Sequence, residues 1–452
     1  MKLVYDVQDK PPFGQLIVFA IQHLLAIMAA TLVVPVIINA GVSNYEAGMS
    51  PAAALFGAGI GTIVYVLFTK GRSPVFLGSS FAFIGSMLAA FAGAVSMAAG
   101  YIGLILGAVF AGLVYVVIAI VVKAVGVKWV SKIMPAVVIG PTVAIIGLSL
   151  AGNAIGDLTT ANAGGHTLIA VLCGLITLAV TMLCSTYGKK MMKLIPFILG
   201  ILAGYVVAAI LTWIGNAAGI DALKVIDFSA LTNNFSNISL SSFLSVPDFT
   251  FLTASKGFGE LSASYVGTIF VAYVPVAFVV FAEHIADHKN LSTIIERDLL
   301  VEPGLDKTLL GDGVGSMVGA FFGGCPNTTY GESIGCVAIT KNASVVSIIA
   351  AAIGAMVIAF ITPFVAFVNT IPSCVMGGVC MALYGFIAVS GLKMIQNVDL
   401  EDNKNLFVVS VILIAGIGGL TLTFGKVTLT EVAAALILGI LTNLMLSKKK
   451  SK

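Results

Sequence analysis

Three carboxylates sit where so apolar a chain has little reason to place them. Glu283 lies at the end of the run FVAYVPVAFVVFAEH, and Asp287 follows one helical turn later on the same face. Glu332 lies in GGCPNTTYGESIG, where Pro326 to Gly331 reads as extended or turn backbone and a short helix begins near Glu332. A charge at membrane depth costs about 2.5–3.5 kcal/mol on insertion scales, so such residues are functional candidates by default. Their chemistry is that of hydrogen-bond acceptors that also take up protons. The free N–H groups at the start of a short helix add donors and the positive end of a dipole. The segment FLGSSFAFI at 76–84 repeats the plan, breaking at Gly78-Ser79-Ser80 before a helix from about Ala82. Extended backbone at membrane depth is tolerated only against protein or a cavity, so two half-helix N-termini are expected to face each other across one.

The remaining ionisable groups are less pointed. His23 lies mid-run in QHLL, either as a hydrogen-bonded core residue or as a proton carrier. Asp312 is expected to pack or cap, and Glu431 to face the membrane interface. Glu296, Asp298, Glu302, Asp306, Asp399, Glu401 and Asp402 fall in loops. His284 and His288 lie beside a loop and complete no nucleophile–base or metal constellation, so an enzyme is not expected, and neither is a metal or cofactor. The six cysteines form no Cys-x-x-Cys pair and read as small buried hydrophobes.

The elements that position these residues must be membrane spans. Of 452 residues, 59% are hydrophobic and 10% charged, against about 25% charged in soluble domains. Mean hydropathy is +1.09. A soluble enzyme is excluded, and 23 basic against 20 acidic residues give no sign of nucleic-acid binding. The N-terminus, MKLVYDVQDKPP, is polar and mixed in charge and is not expected to act as a signal peptide. Apolar runs near the length of a span, about 20 residues, occur at 14–39, 49–69, 76–97, 101–122, 134–152, 166–185, 194–214, 262–286, 308–323, 328–341, 344–369, 372–391, 405–424 and 428–446. The runs at 308–323 and 328–341 are short or polar for full spans. Residues 215–261 form the one long polar connection.

With the N-terminus inside, fourteen spans sort the positive charges strongly. Lys2, Lys10, Lys70, Arg72, Lys123, Lys128, Lys132, Lys189, Lys190, Lys193, Lys289, Arg297, Lys307, Lys341, Lys393, Lys404, Lys448, Lys449, Lys450 and Lys452 fall inside; Lys224, Lys256 and Lys426 fall outside. Both termini are thus expected in the cytoplasm and 215–261 outside. The chain also repeats itself. Pro-x-x-Val-x-Gly occurs at 135–140 and 372–377, in runs that start at Ile133 and Thr370. Val-Pro-Val occurs at 34–36 and 274–276, and small hydroxyl pairs precede an aromatic at Ser79-Ser80-Phe81 and Thr328-Thr329-Tyr330. Each pair is seven spans apart. Seven is odd, so the second copy is inverted, as in secondary transporters that bind near the midplane at broken helices.

At these residues the sequence resembles the nucleobase–ascorbate transporter family (nucleobase:cation symporter-2) and, within it, the bacterial uracil permeases. The carriers are QHLLA at 22–26, FLGSSFAFI, AEH at 282–284, PNTTYGESIG at 326–335 with ITK at 339–341, and VMGG at 375–378 with LYG at 383–385. The resemblance implies an all-α membrane protein of fourteen transmembrane segments in two inverted seven-span repeats. Two short strands in broken spans 3 and 10 would pair at the centre. A core domain would comprise 1–122 and 262–370, and a gate domain 123–261 and 371–452. It further implies a proton-coupled importer in the bacterial cytoplasmic membrane, dimeric through its gate domains. Substrate contacts carry over to Glu283, Glu332, Phe81, Tyr330, Gly331, Ala30 and Tyr384; proton coupling falls to Glu283, Asp287 or His23. Two positions depart from the pattern. Ser333 replaces the usual Asn, and Asp287 stands where uracil permeases of this type often carry His and purine branches Asp. Purine branches in turn usually carry Gln where this chain has Glu332.

The expected function is uracil import by proton symport. Uracil presents N–H donors and carbonyl acceptors in one plane; carboxylates accept from the former, helix N-termini donate to the latter, and Phe81 covers the ring. Two carboxylates beside one neutral ligand do not both stay ionised in low dielectric, which couples proton uptake to binding. Glu332 is the one a helix N-terminus keeps charged, leaving Glu283 or Asp287 as proton carrier. A xanthine or other oxopurine permease of the same family is the alternative. A channel is a further one, disfavoured because polar residues gather at two broken helices and do not line several spans.

Overall fold

The computed structural model describes residues 3–42, 48–126, 129, 135–424 and 427–447. Lys2, Lys128, Lys132, Lys426, Lys448, Lys449, Lys450 and Lys452, counted above for orientation, lie outside these residues, as do Ile133 and Met134 of the first repeat motif. Each of the fourteen apolar runs contains helix. These are α1 (Phe13–Gly41), α2 (Pro51–Phe68), α3 (Ile84–Ala92), α4 (Met97–Val125), α5 (Ala136–Leu158), α6 (Thr167–Tyr187), α7 (Pro196–Ala218), α8 (Ala263–Ile295), α9 (Leu305–Gly323), α10 (Gly331–Thr340), α11 (Val345–Ile358), α12 (Ser373–Met394), α13 (Asn403–Ile417) and α14 (Glu431–Leu446). Among the described residues, eight are both long and apolar enough to cross a bilayer: α1, α2, α4 to α8 and α12. Strand β1 (Leu77–Ser79) pairs antiparallel with β2 (Asn327–Thr329), Leu77 opposite Thr329. A hairpin of β3 (Leu422–Phe424) and β4 (Val427–Leu429) precedes α14. Caps explain several starts: Ser50, Ser96 and Ser262 accept from backbone N–H groups in the first turns of α2, α4 and α8.

The helices pack in two groups. In the first, α2 and α4 flank α9, α8 lies on α4, and α11 lies on α1 and α2. In the second, α12 packs on α5 and α6, α7 on α6, and α13 on α5 and α14. The groups meet where α8 lies against α14 and β4.

The closest approach within the first group is set by glycine. Gly311, Gly315, Gly319 and Gly323 recur every fourth residue of α9. A Cβ on Gly57 of α2 would lie 2.5 Å from the Gly319 carbonyl, and one on Gly315 2.7 Å from the Gly61 carbonyl. This is the small-xxx-small packing of membrane helices. The run at 308–323, short or polar for a full span, lies in a 19-residue helix, Leu305–Gly323, that is not among the eight apolar enough to cross, and its many glycines serve backbone contact.

Other boundaries also shift. The run at 262–286 continues to Ile295 as one 33-residue helix through Pro275, so Lys289 is helical and His284 and His288 are wholly buried, not beside a loop. The run at 344–369 divides into α11 and a helix over Thr362–Asn369. At one end of the molecule, residues 219–261 cross the starts of α4 and α6 and the end of α11: His166 N–H bonds the Ala222 carbonyl, Ser245 N–H bonds the Phe360 carbonyl, and Gly257 lies on Ala98 and Ala99. At the other, residues 4–9 lace together the ends of α2, α8 and α10. Val4 N–H bonds the Lys341 carbonyl, Gln8 donates to the Gly71 carbonyl, and Asp6 pairs with Arg297.

Candidate functional site

A cavity of about 390 Å³ lies between the two groups of helices. The first group contributes Ala26 of α1, Ser80 to Ala82 after β1, Glu283 and Asp287 of α8, and Thr328 to Glu332 across β2 and α10. The second contributes Val143, Phe197, Leu383 and Ile387. The three carboxylates singled out from sequence therefore share one space. Such a volume falls within the range of about 300–1,000 Å³ usual for small-molecule sites, and its mix of apolar wall and few polar groups is typical of them.

The polar wall is built by the strand pair. β1 and β2 satisfy one another's backbone groups, and Ser80 N–H extends the pairing to the Pro326 carbonyl at 2.9 Å. Tyr330 donates its hydroxyl to the Ser79 carbonyl at 2.7 Å, and its ring lies over Gly78, where a Cβ would sit 2.3 Å from ring carbon. Only glycine fits there. Tyr330 is in turn the extended residue from which α10 starts, so Gly331, Glu332 and Ser333 present first-turn N–H groups. Thr329 donates to Asp287 Oδ2 at 2.7 Å, which ties α8 to β2.

Of the residues predicted to contact substrate, Glu283, Glu332, Phe81, Tyr330 and Gly331 line the cavity; Ala30 and Tyr384 do not. Ala26, one turn before Ala30, lines the cavity from α1, and Ala30 is buried at 1% exposure. Tyr384 stands behind the wall, edge-on to Phe81 with ring centroids 6.2 Å apart. Of the proton-coupling candidates, Glu283 and Asp287 line the cavity. His23 does not: its Nε2 lies 2.9 Å from Ser333 Oγ, which also accepts from Phe76 N–H at 3.0 Å. Ser333, the departure from the usual Asn, thus joins α1, α10 and the approach to β1 through a hydroxyl.

Sequence reasoning did not find a buried polar chain behind α8. His284 Nδ1 lies 2.7 Å from Asp312 Oδ2 and its Nε2 3.0 Å from Thr308 Oγ1. His288 Nδ1 reaches the His284 carbonyl at 2.8 Å, so it is the donor there; Nε2 accepts from the Tyr65 hydroxyl at 2.7 Å, and that oxygen also meets Ser73 Oγ. The imidazoles stack at 4.0 Å. Glu283 and Asp287 face the cavity while His284 and His288, each one residue on, hold the neighbouring face. The only sequence signal was this offset pair of i, i+4 spacings. Among the described residues, no group of three or more His, Cys, Asp or Glu could hold a metal ion.

Comparison with known proteins agrees with this architecture. The chain is 38% identical to a uracil permease of Bacillus caldolyticus over 448 residues, covering 98% of this chain and 95% of that protein. It is 36% identical to a uracil permease of Bacillus subtilis (100% and 97% covered) and 33% identical to one of Escherichia coli (96% and 92%). Among solved structures, the transmembrane domain of a cyanobacterial bicarbonate transporter, BicA, superposes with a TM-score of 0.61 at 15% identity, covering 97% of this chain and 99% of that one. The murine anion transporter Slc26a9, in its inward-facing state, gives 0.64 at 11%, covering 97% and 69%. These two share the fold. A family model described as "Permease family" matches residues 14–424, and with relatives of this identity aligned from end to end, the chain belongs to that family of multi-pass membrane permeases.

Proposed function

We propose that this protein imports uracil across the bacterial cytoplasmic membrane by proton symport. The observation that carries the reading is the single cavity holding Glu283, Asp287 and Glu332 beside the α10 N-terminus, in a chain whose relatives are uracil permeases. Uracil N–H groups donate to Glu283 and Glu332. Its carbonyls accept from the first-turn N–H groups of α10 and of the helix after β1, and Phe81 and Tyr330 bound the ring. Three carboxylates lining one poorly hydrated space repel one another, so at least one carries a proton when the base enters. Glu283 or Asp287 holds it, because the helix dipole favours the charge on Glu332. Release to the cytoplasm wets the site, and proton and base leave together.

In this reading the fourteen helices are fourteen spans in two inverted sevens. The first group (1–122 and 262–370) is the core, and the second (123–261 and 371–452) is the gate and the dimer contact. The packing of α2 on α9, partners at the seven-span offset, supports it. So does the gathering of residues 4–9, Arg72, Arg297 and Lys341 at the end opposite residues 219–261, the end that this reading takes as cytoplasmic. The test is uptake of radiolabelled uracil into proteoliposomes with and without an inward proton gradient, with xanthine as competitor. Accumulation that needs the gradient and resists xanthine is expected. Uptake indifferent to the gradient refutes symport, and preferential uptake of xanthine refutes the substrate.

A further inference from the structure

The turn between α6 and α7 has a composition that the transport site does not use. It reads Tyr187-Gly188-Lys189-Lys190-Met191-Met192-Lys193-Leu194-Ile195. Lys189, Lys190 and Lys193 are exposed, and none is in an ion pair among the described residues. Tyr187, Met191 and Met192 are exposed beside them. Both adjoining helices turn apolar side chains outward, Met182 and Leu183 on α6 and Leu202 and Val206 on α7, so the turn lies where acyl chains give way to headgroups. Unpaired lysines interleaved with apolar side chains at that level attract anionic lipid. The same turn reaches the cavity. Lys193 and Leu194 line its mouth, and Leu194 packs with Ala26 of α1 and Cys336 of α10, bridging the two groups of helices.

We propose that residues 187–195 bind the headgroup of an anionic phospholipid and that this contact holds Leu194 over Cys336 at the cavity mouth. Lys189, Lys190 and Lys193 take the headgroup phosphate, Tyr187, Met191 and Met192 lie among the upper acyl carbons, and Gly188 lets the turn close: a Cβ there would stand 2.1 Å from the Cys184 carbonyl. The proposal rests on the membrane fold and is independent of the transported substrate.

The test uses the full chain, delipidated and returned to phosphatidylcholine with or without phosphatidylglycerol. Native mass spectrometry reads retained lipid, and peptide mapping after maleimide treatment reads Cys336. The wild type is expected to retain phosphatidylglycerol several-fold over phosphatidylcholine and to protect Cys336 in its presence. The triple variant Lys189→Gln, Lys190→Gln, Lys193→Gln should lose the preference and label several-fold faster at Cys336. Leu194→Ala should keep the lipid and lose the protection. An unchanged lipid preference in the triple variant overturns the site, and so does displacement of the lipid by soluble glycerol phosphate. Cys336 labelling that ignores both lipid and variants overturns the link to the mouth.

Discussion

The His284–Asp312 pair offers a sharp test of how α8 is held. Both side chains are fully buried, 2.7 Å apart, and Asp312 Oδ1 has no hydrogen-bond partner among the described residues. In His284→Leu, Asp312 loses the one side chain that satisfies it. Removing one member of a buried pair costs about 3–5 kcal/mol, whereas replacing both by apolar side chains of similar volume is often neutral or better. His284→Leu and Asp312→Leu should therefore each destabilise by about 3–5 kcal/mol, a large part of the ~5–15 kcal/mol typical of folded proteins. The double variant should recover most of the loss, so its cost falls far below the sum of the single losses and the coupling exceeds the roughly 0.5–3 kcal/mol usual for residues in contact. Thr308 stays buried without its imidazole partner in the double variant, which keeps the recovery incomplete. The assay is a double-mutant cycle on the free energy of unfolding, titrated with sodium dodecyl sulfate in dodecyl maltoside. Single losses that add in the double variant would refute the reasoning, because the pair would then contribute independent packing and no mutual satisfaction.

Other expectations follow from the cavity and the packing. Glu332→Gln should abolish uptake with unchanged folding and weaken uracil binding about ten- to a hundredfold, the worth of a charged hydrogen bond; near-normal affinity by calorimetry in detergent would contradict the assignment. Glu283→Gln, a mimic of the protonated acid, should bind uracil and lose gradient-driven accumulation, while the wild type should transport fastest with acid outside; proton-dependent accumulation by the variant would move the coupling proton to Asp287 or His23. Gly57→Leu should cost at least about 1–3 kcal/mol because its Cβ meets the Gly319 carbonyl at 2.5 Å and backbone must move; an unfolding curve matching the wild type would contradict that contact. Ser236→Cys should react with an impermeant maleimide in intact cells, and labelling only after permeabilisation would break the fourteen-span reading.

Much of the cavity was legible because its residues are anomalies. Glu283, Asp287 and Glu332 stand out in any run of Val, Phe and Ala, and FLGSSFAFI and PNTTYGESIG interrupt helical pattern with extended backbone. What failed to show was satisfaction at a distance. AEHIADHKN looks like a helix leaving the membrane because nothing local reveals that His284 meets Asp312 and His288 meets Tyr65, 223 positions earlier. The glycine row of α9 was plain in the sequence, but its contact with α2 was not, since hydropathy scores a glycine as weak while helix contact needs it small. Ala30, carried across by resemblance, is buried behind the cavity wall, while Ala26, one turn earlier on the same face of α1, lines the cavity.

The β1–β2 pair also constrains how the chain is made. Tyr330 bonds the carbonyl of Ser79 from 251 positions away, so for most of synthesis the first strand exists without the second. Leu77 still has Thr62 Oγ1 of α2 as a partner, but the N–H and C=O groups that β2 would pair then have none that lipid supplies. The nascent first half must keep that stretch in contact with water or with the insertion machinery until ribosomes have passed residue 329. Stalling translation between the two strands should leave a species that the translocon retains, and stalling beyond α10 one that it releases.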